Sequence, residues 1–155
     1  MSDPVVYDKA KYHYGGDFPR GLADEQAFVH TGLYLGWVIE RVLYSDLFRT
    51  EAAGLIERFK AREVTGPQVY ADWDGCLIDD MLSADGNAFS AAYFDFERGL
   101  YLRDYQELLS DGLPSVYHVA DSWENYDRLR PRLDRRFELW KQSPRDRPWW
   151  QFWRP

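Results

Sequence analysis

The stretch from Leu22 to Leu43 constrains the fold most, because it is apolar and has the period of a helix. Small and apolar residues recur three or four positions apart in two neighbouring stripes: Ala27, Thr31, Leu35, Val38 and Val42, and Phe28, Gly32, Ile39 and Leu43. A helix with so wide an apolar face must be buried, so we predict a central helix here. Gly32 and Gly36 lie one turn apart and predict the close approach of another element.

Capping and turn residues predict further helices around this one. The predicted boundaries, in chain order, are a cap at Thr50 with an end near Arg62, a start at Thr65-Gly66-Pro67 with a stop at Gly75, a cap at Ser83, and a start after Gly99. A last helix is expected from Asp121 to Gln142, because Asp121 and Glu124 have capping-box spacing; Pro131 should kink it or divide it.

Little regular β structure is expected. Residues 1–21 mix aromatic side chains with glycine and proline, which predicts an irregular but ordered segment. Only Ser115 to Ala120 has a run of good strand formers, and one strand makes no sheet. We therefore predict a mainly α, single-domain helical bundle over residues 1–143, with at most a minor β element and a Trp/Arg-rich tail over 144–155.

The middle of the chain is strongly acidic. No lysine or arginine occurs between Arg62 and Arg98, whereas eight carboxylates do: Glu63, Asp72, Asp74, Asp79, Asp80, Asp85, Asp95 and Glu97. Aromatic residues, among them Trp73, are interspersed with these charges and can anchor a core or an interface. Such a segment favours a basic partner.

Charge and composition exclude several function classes. The net charge is −7, and the four basic residues and one acidic residue from Lys141 onward leave −10 on residues 1–140. Binding to nucleic acid or to an anionic membrane surface is thus disfavoured. The apolar stretch Gln26 to Ile39 is too short to span a bilayer, and the N-terminus lacks the pattern of a secretory signal. With one cysteine, Cys76, we expect a cytoplasmic protein without disulfide or zinc chemistry.

One motif suggests catalysis. The run Asp72-Trp73-Asp74-Gly75 resembles the nucleophile loop of haloacid-dehalogenase-type phosphatases, in which the first aspartate attacks phosphorus and the second acts as acid and base. That chemistry also needs magnesium ligands, a basic residue and a preceding buried strand. No lysine occurs between Lys60 and Lys141 and no alternation of strands and helices follows, so this hydrolase is kept as an alternative.

Metal and histidine chemistry is not predicted. Asp79, Asp80 and Asp85 lie near Gly86, but their spacing does not fit a calcium-binding EF-hand, and an acidic turn before a helix explains them. His13, His30 and His118 are far apart in sequence, and each is expected to have a structural, hydrogen-bonded role. We therefore expect no catalytic residue, metal or cofactor.

The C-terminal tail has three possible states. It places Trp149, Trp150, Phe152 and Trp153 beside arginines. It could fold back onto the acidic segment, remain disordered, or bind a membrane surface or a protein; the last would make the chain a membrane-peripheral or adaptor protein.

Three strings resemble a family of small bacterial proteins of unknown function: Tyr7 to Pro19, His30 to Trp37, and Tyr117 to Tyr126. The resemblance covers about residues 7–141. Its members look similar to proteins found near polymorphic toxins, where small acidic neighbours often act as immunity proteins. The resemblance thus implies a toxin domain, such as a basic nuclease, as the partner.

These observations favour a non-enzymatic immunity protein that neutralises a toxin. The expected partner-binding residues are Asp72, Trp73, Asp74, Asp79, Asp80 and Asp85. A basic surface on the partner would face these carboxylates, with Trp73 as the aromatic anchor. Stable membrane insertion is not expected, and the oligomeric state stays open.

Overall fold

The computed structural model describes residues 3–143 as a mainly α-helical domain with one small sheet. Its α-helices are α1 (Ala10–Tyr14), α2 (Val29–Glu40), α3 (Asp46–Glu51), α4 (Ala53–Lys60), α5 (Gly66–Asp72), α6 (Ala84–Tyr93), α7 (Tyr101–Tyr105) and α8 (Trp123–Gln142). Short 3₁₀ segments span Asp24–Phe28, Asp79–Met81 and Val116–His118, and a π-helical turn, Gln106–Ser110, follows α7. The mainly α prediction is confirmed, whereas the predictions for the tail concern residues outside 3–143.

Helix α2 is the predicted central helix. Every residue from Val29 to Ile39 is buried. Its partners lie on several sides: the Trp37 indole donates to Asp134 of α8 at 2.9 Å, and the hydroxyl of Tyr34 bonds Ser90 of α6 at 2.7 Å. The predicted start at Leu22 was too early, because a 3₁₀ segment occupies Asp24–Phe28.

Helices α2 and α5 cross with almost no space between their backbones. A Cβ on Gly32 would lie 2.3 Å from the Cα of Pro67, and a Cβ on Gly66 would lie 2.2 Å from the carbonyl oxygen of Gly32. Gly36 lies under the ring of Phe59, to which an added Cβ would come within 3.0 Å. The prediction of close approach at Gly32 and Gly36 is confirmed.

Helix α5 begins and ends close to where the sequence predicted. The Thr65 hydroxyl accepts from the backbone N–H of Gln68, and the Gln68 side chain accepts from the Thr65 N–H, which completes a capping box. At the other end Asp74 and Gly75 both adopt left-handed backbone angles, with φ of 60° and 61°. The chain therefore leaves α5 in a tight turn and enters strand β2 (Cys76–Ile78).

The N-terminal segment is more regular than predicted. Strand β1 (Val6–Lys9) pairs antiparallel with β2, and α1 follows it directly. The pairing is irregular between Val6 and Asp8. Such bulges re-aim a side chain, and Asp8 is only 2% exposed. The prediction of an irregular segment was wrong for residues 6–14, because the pairing partner of β1 lies about 70 positions away. Residues 15–21 contain no helix or strand, as predicted.

Other local predictions had mixed outcomes. Ser83 caps α6 as expected, and Ser122 caps α8 in place of Asp121. The helix predicted from Thr50 to Arg62 is α4, whose N-cap residue Ala52 makes no side-chain capping hydrogen bond; Thr50 lies inside α3, which Ser45 caps. The Asp121 carboxylate instead accepts from the Thr65 hydroxyl at 2.7 Å. Helix α8 continues through Pro131, and the predicted extended piece at 115–120 is a 3₁₀ turn.

A buried carboxylate joins α7 to α6 and α8. Asp104 is 1% exposed and accepts from Tyr93 at 2.6 Å, from Arg132 at 2.7 Å and from Arg136 at 2.8 and 2.9 Å. Burial opposes its ionisation, but these hydrogen bonds and the Arg136 charge outweigh burial and lower the pKa of Asp104.

Across residues 3–143, no helix is long and apolar enough to cross a membrane.

Replacing Gly32 with alanine should lower the free energy of unfolding by about 1–3 kcal/mol, because the added methyl group must push α5 away. Gly54→Ala in α4 is the matched control, since nothing lies within 4 Å of its Cβ position. It should raise the free energy of unfolding by about 0.5–1 kcal/mol. Urea unfolding of both variants measures the difference, and equal effects would contradict the described crossing.

Candidate functional site

The predicted partner-binding carboxylates lie at the surface along one continuous part of the chain. We call Asp72, Asp74, Asp79, Asp80 and Asp85 the acidic surface; Asp79 is half-buried and the other four are exposed. Within residues 3–143, no lysine, arginine or histidine forms a salt bridge with any of them. Their charge is therefore not neutralised by ion pairs inside the described domain.

Only part of this set shares a concave site. Asp72, Trp73 and Asp74 line a surface depression of about 370 Å³ together with Cys76 and Ile78. Asp79, Asp80 and Asp85 lie outside its lining. Trp73 is half-buried, with its ring edge-on to Phe48 at 4.9 Å between centroids, so the indole is held in place by the core.

The surroundings of Asp72 differ from those of a phosphatase nucleophile. Asp72 is the last residue of α5, and the sheet nearby has two antiparallel strands. The nucleophile loop that Asp72-Trp73-Asp74-Gly75 resembles requires a buried parallel strand before its first aspartate.

A second group of polar residues is buried where the N-terminal segment meets α2. Asp8 comes from β1, His13 from α1 and His30 from the first turn of α2. The side chains of Asp8 and His30 are 3% and 2% exposed, and that of His13 is 14% exposed. We call these three residues the histidine–aspartate centre.

Three ligand-type atoms converge in this centre. His13 Nε2 lies 2.9 Å from both carboxylate oxygens of Asp8. His30 Nε2 lies 3.2 Å from His13 Nε2 and 3.5 Å from Asp8 Oδ2. Ligand atoms around a tetrahedral ion are about 3.3 Å apart when each metal–ligand distance is about 2.0–2.1 Å. The three separations thus match those around a single small metal ion.

The protonation states of Asp8 and His30 also suit metal ligands. Burial opposes ionisation of Asp8, but hydrogen bonds and charge from His13 and His30 outweigh it and lower the pKa of Asp8 to about 2. Burial, with a smaller contribution from His13, lowers the pKa of His30 although Asp8 opposes the shift, so the neutral imidazole is favoured at pH 7. Metal ions bind ionised carboxylate and neutral imidazole.

Hydrogen bonds outside the centre orient two of its members. Thr31 donates to Asp8 Oδ2 at 2.5 Å, and the hydroxyl of Tyr117 lies 2.8 Å from His13 Nδ1. Tyr117 in turn lies 3.4 Å from Asp17 Oδ1. Burial, together with Asp17, raises the pKa of Tyr117 to about 12, so the phenol keeps its proton. His30 Nδ1 is buried and has no hydrogen-bond partner in the described structure.

Sequence reasoning missed this centre. It assigned each histidine a separate structural role, but the structure brings His13 and His30 together and leaves His118 apart, bonded to Ser115 at 2.8 Å. Nothing in the local sequence marks the first two, because the unpredicted pairing of β1 with β2 helps to place α1 beside α2.

Comparison with known proteins gives a family but no function. The chain belongs to the family of the domain of unknown function DUF7832, whose model matches residues 6–119. This range contains the histidine–aspartate centre, Tyr117 and the acidic surface. No curated protein and no solved structure matches the chain.

Proposed function

We propose that this member of the DUF7832 family binds one divalent transition-metal ion between Asp8, His13 and His30. The convergence of two imidazole nitrogens and a carboxylate oxygen, all within 4.8 Å of one another, carries the proposal. The nearest separations, 2.9, 3.2 and 3.5 Å, average close to the spacing of about 3.3 Å around a tetrahedral ion.

Electrostatics support an ion at this position. His13 Nε2 and His30 Nε2 are directed at one carboxylate while lying 3.2 Å from each other. In the metal-free arrangement the Asp8 carboxylate accepts hydrogen bonds from these imidazoles, so N–H protons point into the space between the three ligand atoms. A cation coordinated by both nitrogens and by Asp8 would occupy that space instead.

The donor set narrows the choice of ion. Imidazole suits zinc, copper, iron and nickel, whereas calcium and magnesium require mainly oxygen ligands. Zinc accepts tetrahedral nitrogen and oxygen sites with three protein ligands, so it fits this centre best. The ion would join β1 and α1 to the start of α2, and its binding would stabilise the folded state by mass action.

Isothermal titration of the full chain with Zn²⁺ tests the proposal. One ion per chain should bind, and Asp8→Asn or His13→Ala should weaken binding by more than about 100-fold, since changes to outer residues alone cost about 10–100-fold. His118→Ala is the matched control and should bind as the wild type does. No uptake by the folded wild-type chain, or equal loss in the control, would refute the proposal.

A second proposal concerns the acidic surface, and the depression beside Trp73 favours it. The Trp73 indole is fixed by the core and lines the depression together with Asp72 and Asp74. A fixed aromatic side chain can anchor an interface, and the two neighbouring charges can steer a basic partner towards it. The identity of that partner as a bacterial toxin rests on the resemblance alone. In that case the chain is an immunity protein located in the cytoplasm, where it meets the toxin.

Charge reversal tests this second proposal. A partner captured from native cell extract should bind Asp79→Lys/Asp80→Lys about 10-fold more slowly at low salt, with a shallower salt dependence, because steering changes association rates by about 10–1,000-fold. Reversal of Asp111 and Glu124, exposed carboxylates outside the acidic surface, is the control. Unchanged rates and salt dependence in the first variant would contradict the assignment.

A further inference from the structure

A cleft of about 210 Å³ lies between the 3₁₀ segment Asp24–Phe28 and helix α5. Its apolar lining consists of Phe28, Val29, Pro67 and Ala71. Val29 is 1% exposed, and Pro67 packs against Gly32 where α2 and α5 cross, so this lining belongs to the rigid part of the domain. The cleft shares no lining residue with the histidine–aspartate centre or with the acidic surface.

Hydrogen bonds hold two polar residues of the lining in place. The Gln26 amide nitrogen donates to the carbonyl oxygens of Tyr117 and Val119, at 2.8 and 3.0 Å. Because that nitrogen meets two acceptors, the amide oxygen is the atom of Gln26 that is free to bind a ligand. The Thr65 hydroxyl donates to Asp121 Oδ2 at 2.7 Å, which leaves Oδ1 without a hydrogen-bond partner among residues 3–143.

The charge at the cleft is negative. Glu25 and Asp121 supply two carboxylates, and within residues 3–143 neither forms a salt bridge. No lysine, arginine or histidine of the described domain lines the cleft. Gln68 supplies a single donor group, its amide nitrogen, because its oxygen accepts from the Thr65 N–H at 2.9 Å. The lining therefore offers mainly acceptors.

Desolvation makes one of these carboxylates a stronger attractor for a cation. Burial raises the pKa of Asp121, although the hydrogen bond from Thr65 opposes the shift. A positive charge next to Asp121 would replace part of the solvation that the carboxylate has lost.

We propose that this cleft binds a small organic amine, whose ammonium group contacts Glu25, Asp121 and the Gln26 amide oxygen while its carbon atoms lie on the apolar lining. An ammonium group has three N–H donors and no acceptor, which matches three acceptor groups. Its hydrogen bonds to carboxylates are charge-assisted and about twice as strong as neutral ones. Drug-sized ligands occupy clefts of about 300–1,000 Å³, so the smaller volume here selects a small ligand.

NMR titration of the full ¹⁵N-labelled chain with benzylamine, an ammonium ion at pH 7, tests the proposal. Benzyl alcohol and benzoate are the neutral and anionic probes of similar size. Benzylamine should bind with a Kd on the order of 1 mM and shift the amide signals of the cleft residues. Benzyl alcohol should bind about 10-fold more weakly, because it lacks the charge, and benzoate should not bind.

Two variants identify the cleft as the site. Ala71→Leu fills it without changing a polar group and should abolish binding, whereas Ala91→Leu, at another exposed helical alanine outside the lining, should bind as the wild type does. Asp121→Asn keeps an acceptor for Thr65 but removes the charge, so the affinity for benzylamine should fall about 10-fold. Glu124→Gln removes an exposed charge outside the cleft and is its control.

Three results would overturn the proposal: no binding of benzylamine by the wild type, equal binding of all three probes, or shifts confined to residues away from the cleft. If Asp121→Asn does not fold, the exposed positions decide. Wild-type affinity for benzylamine in both Ala71→Leu and Glu25→Gln would then overturn it. Zinc titration does not enter this test, so the cleft and the metal centre stand or fall separately.

Discussion

The contact between α2 and α5 is the constraint on which the rest of the domain depends. Two backbones meet at Gly32, Gly66 and Pro67 without room for a single added methyl group. That contact fixes the start of α5, and two turns later the left-handed backbone at Asp74 and Gly75 redirects the chain. Strand β2 starts from this turn, and the N-terminal segment has its pairing partner only there.

The histidine–aspartate centre follows from this arrangement. Pairing with β2 places Asp8 over the start of α2, and the N–H of Ala10 donates to the carbonyl of Gly75 at 2.8 Å, which places α1. His13 then meets His30 although 17 positions separate them. A buried cluster of two imidazoles and a carboxylate costs solvation energy, which the hydrogen bonds from Thr31 and His13 to Asp8 offset, and the proposed cation would offset it further.

The sequence predicted what local chemistry determines. Helix α2 follows from its apolar period, α5 from the Thr65 cap, α6 from Ser83, and the close crossing from Gly32 and Gly36. The sequence could not predict the contacts between residues that are far apart along the chain. The pairing of β1 with β2 requires Cys76–Ile78 to lie beside Val6–Lys9, which are distant in sequence. Asp121 has the spacing of a helix cap, but in the folded chain its carboxylate accepts a hydrogen bond from the distant Thr65. Four carboxylates of the acidic surface are exposed and Asp79 is half-buried, but whether they bind a partner depends on chemistry outside the chain.

X-ray absorption at the zinc edge of the zinc-loaded full chain tests whether Asp8, His13 and His30 hold the ion, because it identifies the atoms around the metal. We expect two imidazole nitrogens at about 2.0–2.1 Å and a carboxylate oxygen at about 2.0–2.2 Å. A sulfur neighbour at about 2.3 Å would instead place the ion at Cys76 in the depression beside Trp73. That result, or a shell of oxygen atoms alone, would contradict the assignment of Asp8, His13 and His30 as the metal ligands.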